Sequence, residues 1–180
     1  GGEHKSESDG LRLNLDSEEA VLHAFLELEG GPAQPLVLME MVEGARELIL
    51  GMSVDPVTGP LLMVGAGGTY VEILKDVAFR IHPVTDDEAG EMIRSLKSYP
   101  LLTGFRGEAA IDVAGLEEVL LRLSQLVGDF PRIVELDLNP FMALPVGTGT
   151  GRGGSRGVDV RIRISLREES LSLPDRGGRD

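Results

Sequence analysis

Two short stretches carry oxygen-bearing side chains at strand spacing: ELDLNP at 135–140 and GVDVRI at 157–162. Alternate side chains of a β-strand share a face. Glu135, Asp137 and Asn139 therefore line one surface of the first stretch, and Val134, Leu136 and Leu138 the other. In the second, Val158, Val160, Ile162 and Ile164 take one face and Asp159, Arg161 and Arg163 the opposite one. If the two strands pair antiparallel, Asp137 and Asn139 sit opposite Asp159 on the same side. Mg²⁺ takes hard oxygen ligands in octahedral geometry, commonly one or two carboxylates completed by water and substrate phosphate. An Asp/Asn/Asp trio suits that ion. A polar strand face turned to water carries the same residues, so spacing alone leaves both readings open. Pro140 has no N–H for a ladder and is expected to end the first strand.

Three other places could do chemistry. GAGG, Gly65–Gly68, directly follows an apolar strand. Glycine there would let backbone N–H groups come close to a phosphate, although a tight turn with positive φ explains the same residues. No Lys-Ser/Thr follows, so it is not a P-loop. In EMVEGARE (40–47), backbone groups around Met41 and Val42 could read an adenine edge, and Glu47 could accept a bond from a ribose hydroxyl. By itself, a β-turn at Gly44 with two solvated acids is the better account of that stretch. His4 lies in a polar loop, where an imidazole can act as nucleophile or proton carrier near neutral pH. His23, within a helix, and His82, before Pro83, have no obvious partner in the sequence.

The elements that must position these residues can be read from periodicity and punctuation. LRLNL (11–15) alternates as a short strand, and Asp16 with Glu19 resembles a capping box for a helix over 17–28. LVLMEMV (36–42), ELILGMSV (47–54) and LLMVG (61–65) read as an antiparallel meander with Gly/Pro turns between them. Thr85 and Glu88 form a better capping box, for a helix over 86–97. Asp112 is expected to start a longer helix through Val127, with Leu116, Val119, Leu120, Leu123 and Val127 as its core stripe. RIVELDL (132–138) and GVDVRIRISL (157–166) are strands, separated by a flexible Gly-rich hairpin loop. Residues 169–180 form a polar tail, expected to be disordered. Antiparallel strands with interspersed helices define an α+β class.

Composition narrows the function. The net charge of −13 argues against a nucleic-acid surface, which needs clustered Lys and Arg, and against an anionic membrane. The chain has no cysteine, so it has no disulfide frame, thiolate zinc site or Cys nucleophile. No apolar run approaches the ~20 residues that span a bilayer, and no signal peptide is visible. A cytoplasmic protein is expected. The chain begins at Gly1 without Met, as a piece of something longer would.

Taken in order, five motifs resemble those of the NDP-forming (ADP-forming) acyl-CoA synthetases. HKSESDGLRLNL is similar to the family's HKSDVGGVRLGL-type segment. GARELILGMSVDPVTGPLLMVGAGGTYVEILKDVAFRIHPVT, YPLLTGFRGE, FPRIVELDLNP and GVDVRI follow in family order and spacing. The resemblance covers His4 to Ile164 and is to the ATP-grasp domain, related to the succinyl-CoA synthetase β subunit. It implies an ATP-grasp fold, here the C-terminal lobe and part of the N-terminal one, over residues 1–166, with 167–180 as a tail. It implies an enzyme that interconverts acyl-CoA, ADP and phosphate with acid, CoA and ATP, using Mg²⁺ and passing a phosphoryl group by way of a phosphohistidine.

By this resemblance, Asp137, Asn139 and Asp159 would be the metal site. Glu40, Met41 and Val42 would meet adenine and Glu47 the ribose. Gly65, Gly67 and Gly68, with Glu72 and Asp76 after them, would lie near the phosphates. His4 matches the family's HKS histidine, a candidate phosphoryl acceptor, and Arg106 in GFRG a family arginine suited to an anion contact. The implied partners are nucleotide and the CoA-binding and ligase-type domains or subunit of the same enzyme. The departures point to a second reading. ESDG replaces DVGG, the segment before the hinge is shorter, and the late Gly-rich run is longer. The family's preceding lobe, with its strand lysine, is expected upstream. A truncated fragment that binds nucleotide without catalysis, or only docks to partner domains, is therefore the alternative.

Overall fold

The computed structural model describes residues 10–29, 35–68, 75–148 and 154–166. The chain divides into two compact units, Gly1–Glu43 and Gly44–Asp180.

In the first unit, helix α1 runs from Glu18 to Glu29. The Ala20 N–H donates to Ser17 Oγ at 3.1 Å, so Ser17 takes the capping place expected of Asp16. Ala24 is buried, while Leu22, Phe25 and Leu26 are exposed. His23 finds a partner in Glu27, which also holds Arg12. Two expected strands are absent. Residues 11–15 form no strand, because Asn14 sits in the left-handed region (φ 57°) and breaks the extended run. Residues 36–42 form none either, although Leu36, Val37, Leu38 and Met39 have strand-like composition; all four are exposed. A strand exists only through its ladder, and among the described residues nothing supplies one here.

The second unit is a sheet with helices on one face. Its strands are β1 (Arg46–Asp55), β2 (Gly59–Ala66), β3 (Val77–Ile81), β4 (Ile133–Ala143), β5 (Arg156–Gly157) and β6 (Val160–Ile164). The order is β3-β2-β1-β4, with β5 and β6 both against β4, and every described pairing is antiparallel. The meander thus exists, but it is β1–β2–β3, one strand later in the chain than expected. The β1–β2 turn is held by Asp55, whose carboxylate accepts the N–H groups of Val57 and Thr58.

Helix α2 (Asp86–Arg94) starts at the expected capping box: the Glu88 N–H donates to Thr85 Oγ1 and the Thr85 N–H to the Glu88 carboxylate. It stops at Arg94, three residues short of the expected end, and a short helix α3 (Tyr99–Leu102) follows. Helix α4 (Val113–Asp129) is capped by Asp112, which accepts from the Gly115 N–H at 2.9 Å. Of its expected stripe, Leu116, Leu120, Leu123 and Val127 are buried, while Val119 is only partly buried at the edge of the core.

These helices cover the face that carries Leu48, Leu50 and Met52 of β1, Leu62 and Val64 of β2, and Leu136 of β4. Each fully buried Leu or Val there stabilises the fold by roughly 1.5–3 kcal/mol relative to exposure. The alternate residues point to the opposite face: Gly51, Met63, Phe79 and Asp137. Phe79 and Ile81 are about half exposed on it.

Candidate functional site

Strand β4 does not end at Pro140. Between the pairs Leu50↔Leu138 and Leu48↔Phe141, one residue of β1 faces two of β4. This is a β-bulge at Asn139–Pro140, and it takes the proline nitrogen out of the ladder. The Pro140 carbonyl still accepts, from the Val158 N–H at 3.0 Å. The Asn139–Pro140 peptide is cis.

The bulge brings the oxygen-bearing residues into one corner. The Asn139 N–H donates to the Asp159 carbonyl at 3.0 Å, so these two residues are backbone neighbours. Asp137 faces Arg161 across the β4–β6 ladder. The Arg161 guanidinium is ion-paired with the Asp159 carboxylate at 3.3 Å. Asn139 thus lies beside Asp159 where β4 meets the start of β6, while Asp137, two residues earlier, stands opposite Arg161 rather than Asp159. Arg161 is an addition: the sequence put it on the same face without showing that it pairs with Asp159. Beside them, Arg163 and Glu135 form an exposed pair at 2.8 Å. Among the described residues, no cluster of three or more His, Cys, Asp or Glu side chains is assembled for a metal. This corner offers two carboxylates and one amide oxygen, a hard donor set of the size Mg²⁺ takes from a protein.

The second part of the site is the Gly-rich turn. Gly65 is still in β2, paired with Ile49 on one side and Val77 on the other. The Ala66 N–H donates to the Asp76 carbonyl at 3.0 Å, and the Gly67 N–H to the Glu47 carbonyl at 2.8 Å. Two of the amides expected to be free for a phosphate are therefore committed to holding the turn. The glycines serve close approach instead. A Cβ on Gly67 would lie 2.5–2.8 Å from Glu47 backbone and Cβ atoms. Gly68 has φ +73°, and its Cα stands beside the Glu47 carboxylate, which a Cβ would meet at 3.3 Å. Glu47 and the turn make one continuous surface.

Asp76, expected near the phosphates, is 3% exposed. Its two carboxylate oxygens accept the N–H groups of Lys97 and Ser98, each at 2.7 Å. Burial alone would raise its pKa, but Ser98, the Lys97 amide and the Lys97 charge outweigh it and hold the group below the usual carboxylate range. Glu72 and His4 lie outside the described residues. Arg106 has φ 50° and stacks its guanidinium over Phe105, 5.3 Å from the ring centre. Its loop is tied to the start of β1 by the Arg46–Glu108 ion pair. Glu40, Met41 and Val42 belong to the first unit; Glu40 and Met41 are exposed and Val42 is half-buried.

Residues 2–164 match the ATP-grasp domain family, and the chain belongs to it. It is 43% identical over 169 residues to a 4-hydroxybutyrate–CoA ligase (ADP-forming) of Nitrosopumilus maritimus, a match covering 89% of this chain and 24% of the relative. It is 37% identical over 148 residues to the β subunit of an acetate–CoA ligase (ADP-forming) I of Pyrococcus furiosus, covering 78% of this chain and 64% of the subunit. Among solved structures, it is similar to the acetyl-coenzyme A synthetase 1 of Ca. Korarchaeum cryptofilum in complex with coenzyme A and Mg-AMPPCP. That match has a TM-score of 0.73 and 36% identity, over 90% of this chain and 71% of the other. The chain thus spans about a quarter of the single-chain ligase and about two thirds of the separate β subunit. No helix among the described residues is long and apolar enough to cross a membrane.

Proposed function

We propose that this chain is the nucleotide-binding, phosphoryl-transferring segment of an ADP-forming acyl-CoA synthetase, an acid–thiol ligase that works in the cytoplasm with CoA-binding and ligase-type domains of the same enzyme. The observation that carries the reading is the Asp137/Asn139/Asp159 corner, in a chain that matches the ATP-grasp family almost throughout. Residues 1–166 would be the ATP-grasp share, with 167–180 as a tail beyond the described residues.

The residues fit a Mg-nucleotide. The donor set at the corner is hard oxygen, and the Gly67–Gly68 turn is packed against Glu47, which brings the proposed ribose acceptor beside the Gly-rich backbone. Bound there, Mg²⁺ would neutralise phosphate charge during transfer. Asp137, Asn139 and Asp159 would hold it, and Arg161 would keep Asp159 oriented. Glu47 would accept a ribose hydroxyl, and Gly65, Gly67 and Gly68 would let the phosphates lie against backbone. Glu40, Met41 and Val42 would meet adenine, Arg106 would contact an anion, and His4 would accept the phosphoryl group.

One observation favours the alternative, a fragment that binds nucleotide without catalysis. Residues 36–42, which include the adenine contacts, have no ladder among the described residues. Calorimetric titration of Mg-ATP into the chain, beside an Asp137→Ala/Asp159→Ala variant, tests both readings. Micromolar to low-millimolar binding that the variant loses supports the assigned site. Equal binding by both proteins overturns the metal assignment. No binding by the folded chain means that the site is completed only in the whole enzyme.

A further inference from the structure

We propose that Asp76 is a positioning residue that locks the Gly-rich turn in place, and is not itself a ligand to phosphate or metal. The lock is independent of the nucleotide reading; only its effect on ATP affinity rests on that reading.

A path of hydrogen bonds runs from the helix layer through Asp76 to the Gly-rich turn. The Asp76 carboxylate is clamped by the amides of Lys97 and Ser98, in the corner between α2 and α3. The main-chain carbonyl of the same residue accepts the Ala66 N–H. The next amide, Gly67, donates to Glu47. One buried side chain therefore connects the helix layer to both ends of the Gly-rich loop, since Asp76 ends the loop that Ala66 begins. Gly65 completes the fit: a Cβ there would meet Val77 Cγ1 at 2.7 Å and the Asp76 carbonyl at 3.1 Å. A carboxylate acting as a metal ligand needs a lone pair facing solvent or the ion. Asp76 is buried, and both its oxygens are taken by strong charge-assisted bonds. Only a carboxylate suits the place, because an amide would turn its NH₂ toward one of the two donors.

The test uses the 180-residue chain. Asp76→Asn is expected to speed hydrogen exchange at the Ala66 and Gly67 amides at least tenfold and to weaken Mg-ATP binding at least tenfold. Leu116→Ala, destabilised in the helix layer, should keep the wild-type affinity for Mg-ATP at a temperature where it is folded. Ser98→Pro removes one of the two donors at a backbone φ of −78°, which proline accepts. It should give the same changes at smaller size, and serves if Asp76→Asn does not fold. Wild-type exchange at Ala66 and Gly67 in the folded variants overturns the proposal. So does loss of Mg²⁺ dependence in Asp76→Asn with the turn unaltered, since that marks a ligand. If the wild-type chain binds no Mg-ATP, the affinity comparison drops out and the exchange measurement alone decides the role of Asp76.

Discussion

The main chain of Gly67 packs directly on the main chain of Glu47: the Gly67 N–H donates to the Glu47 carbonyl at 2.8 Å, and a Cβ would stand 2.5 Å from the carbonyl carbon. The start of β1 and the end of β2 are fixed to each other at this point.

Gly67→Ala must therefore push two backbone segments apart. Forcing a group into a closed space costs about 1–3 kcal/mol, and the thermal midpoint should fall accordingly. Gly68→Ala is the comparison. Its strain is that of a left-handed residue, about 1–2 kcal/mol, and its Cβ meets only the movable Glu47 Oε2. If calorimetric melting shows Gly67→Ala to be no worse than Gly68→Ala, the close contact is not sustained in solution.

Arg161 is ion-paired with the Asp159 carboxylate, for which a metal ion at the proposed site would have to compete. An exposed pair of this kind is worth ~0.2–1 kcal/mol. Arg161→Ala should then tighten the binding of Mg²⁺ or Mn²⁺ alone by about twofold to fivefold, measured by titration without nucleotide. Unchanged affinity would show that the arginine does not restrain the site.

The histidine of the second unit, His82, is half-buried with its Nδ1 3.2 Å from Ser124 Oγ, and burial lowers its pKa. Above the unfolded value of about 6.5, both states are neutral and the group contributes nothing. Below it, the unfolded chain takes up the proton more readily, so stability falls until the pH has passed the folded pKa. Asp55 and Asp76 are held low, and their contributions are lost only on further acidification, below about pH 4. Urea midpoints should decline from about pH 7 to pH 5, and the decline should shrink in His82→Gln.

Thr85 caps α2 through a reciprocal pair of bonds with Glu88. Thr85→Ala should cost about 1 kcal/mol, whereas Leu120→Ala, in the core beneath α4, should cost about 2–5 kcal/mol. Denaturant unfolding of the two variants ranks the cap against the core.

What the sequence made legible was local. The Thr85/Glu88 box, the Asp112 cap and the α4 stripe each depend on residues within a few positions, and each is where it was expected. The face alternation of ELDLNP and GVDVRI put Asp137, Asn139 and Asp159 at one corner once the two strands paired. What stayed hidden depends on distant partners. LVLMEMV has the composition of a strand, but composition cannot supply the neighbour whose backbone makes it one. Asp76 reads as another acid near a Gly-rich run, because its partners lie 21 and 22 residues further along. Arg161 reads as a solvated charge until its ion pair with Asp159 is seen. Asn14 stops the 11–15 strand by a backbone angle that its neighbours do not announce.

The bulge at Asn139–Pro140 acts as a phase shifter. Upstream of it the even-numbered residues Leu136 and Leu138 face the helices; downstream, the odd-numbered Phe141 and Ala143 do. Deleting one of the two bulge residues would leave a single residue opposite Ile49 and restore a regular ladder, with Leu138 and Phe141 both still facing the helices. The same strand can thus supply a hydrophobic anchor beyond the bulge and acidic side chains on the opposite face before it without a sequence that alternates perfectly. The position is therefore asymmetric toward changes of length: one residue can be removed here with the facing of both halves kept, whereas a single residue removed from a strand without such a bulge would invert everything on one side of it.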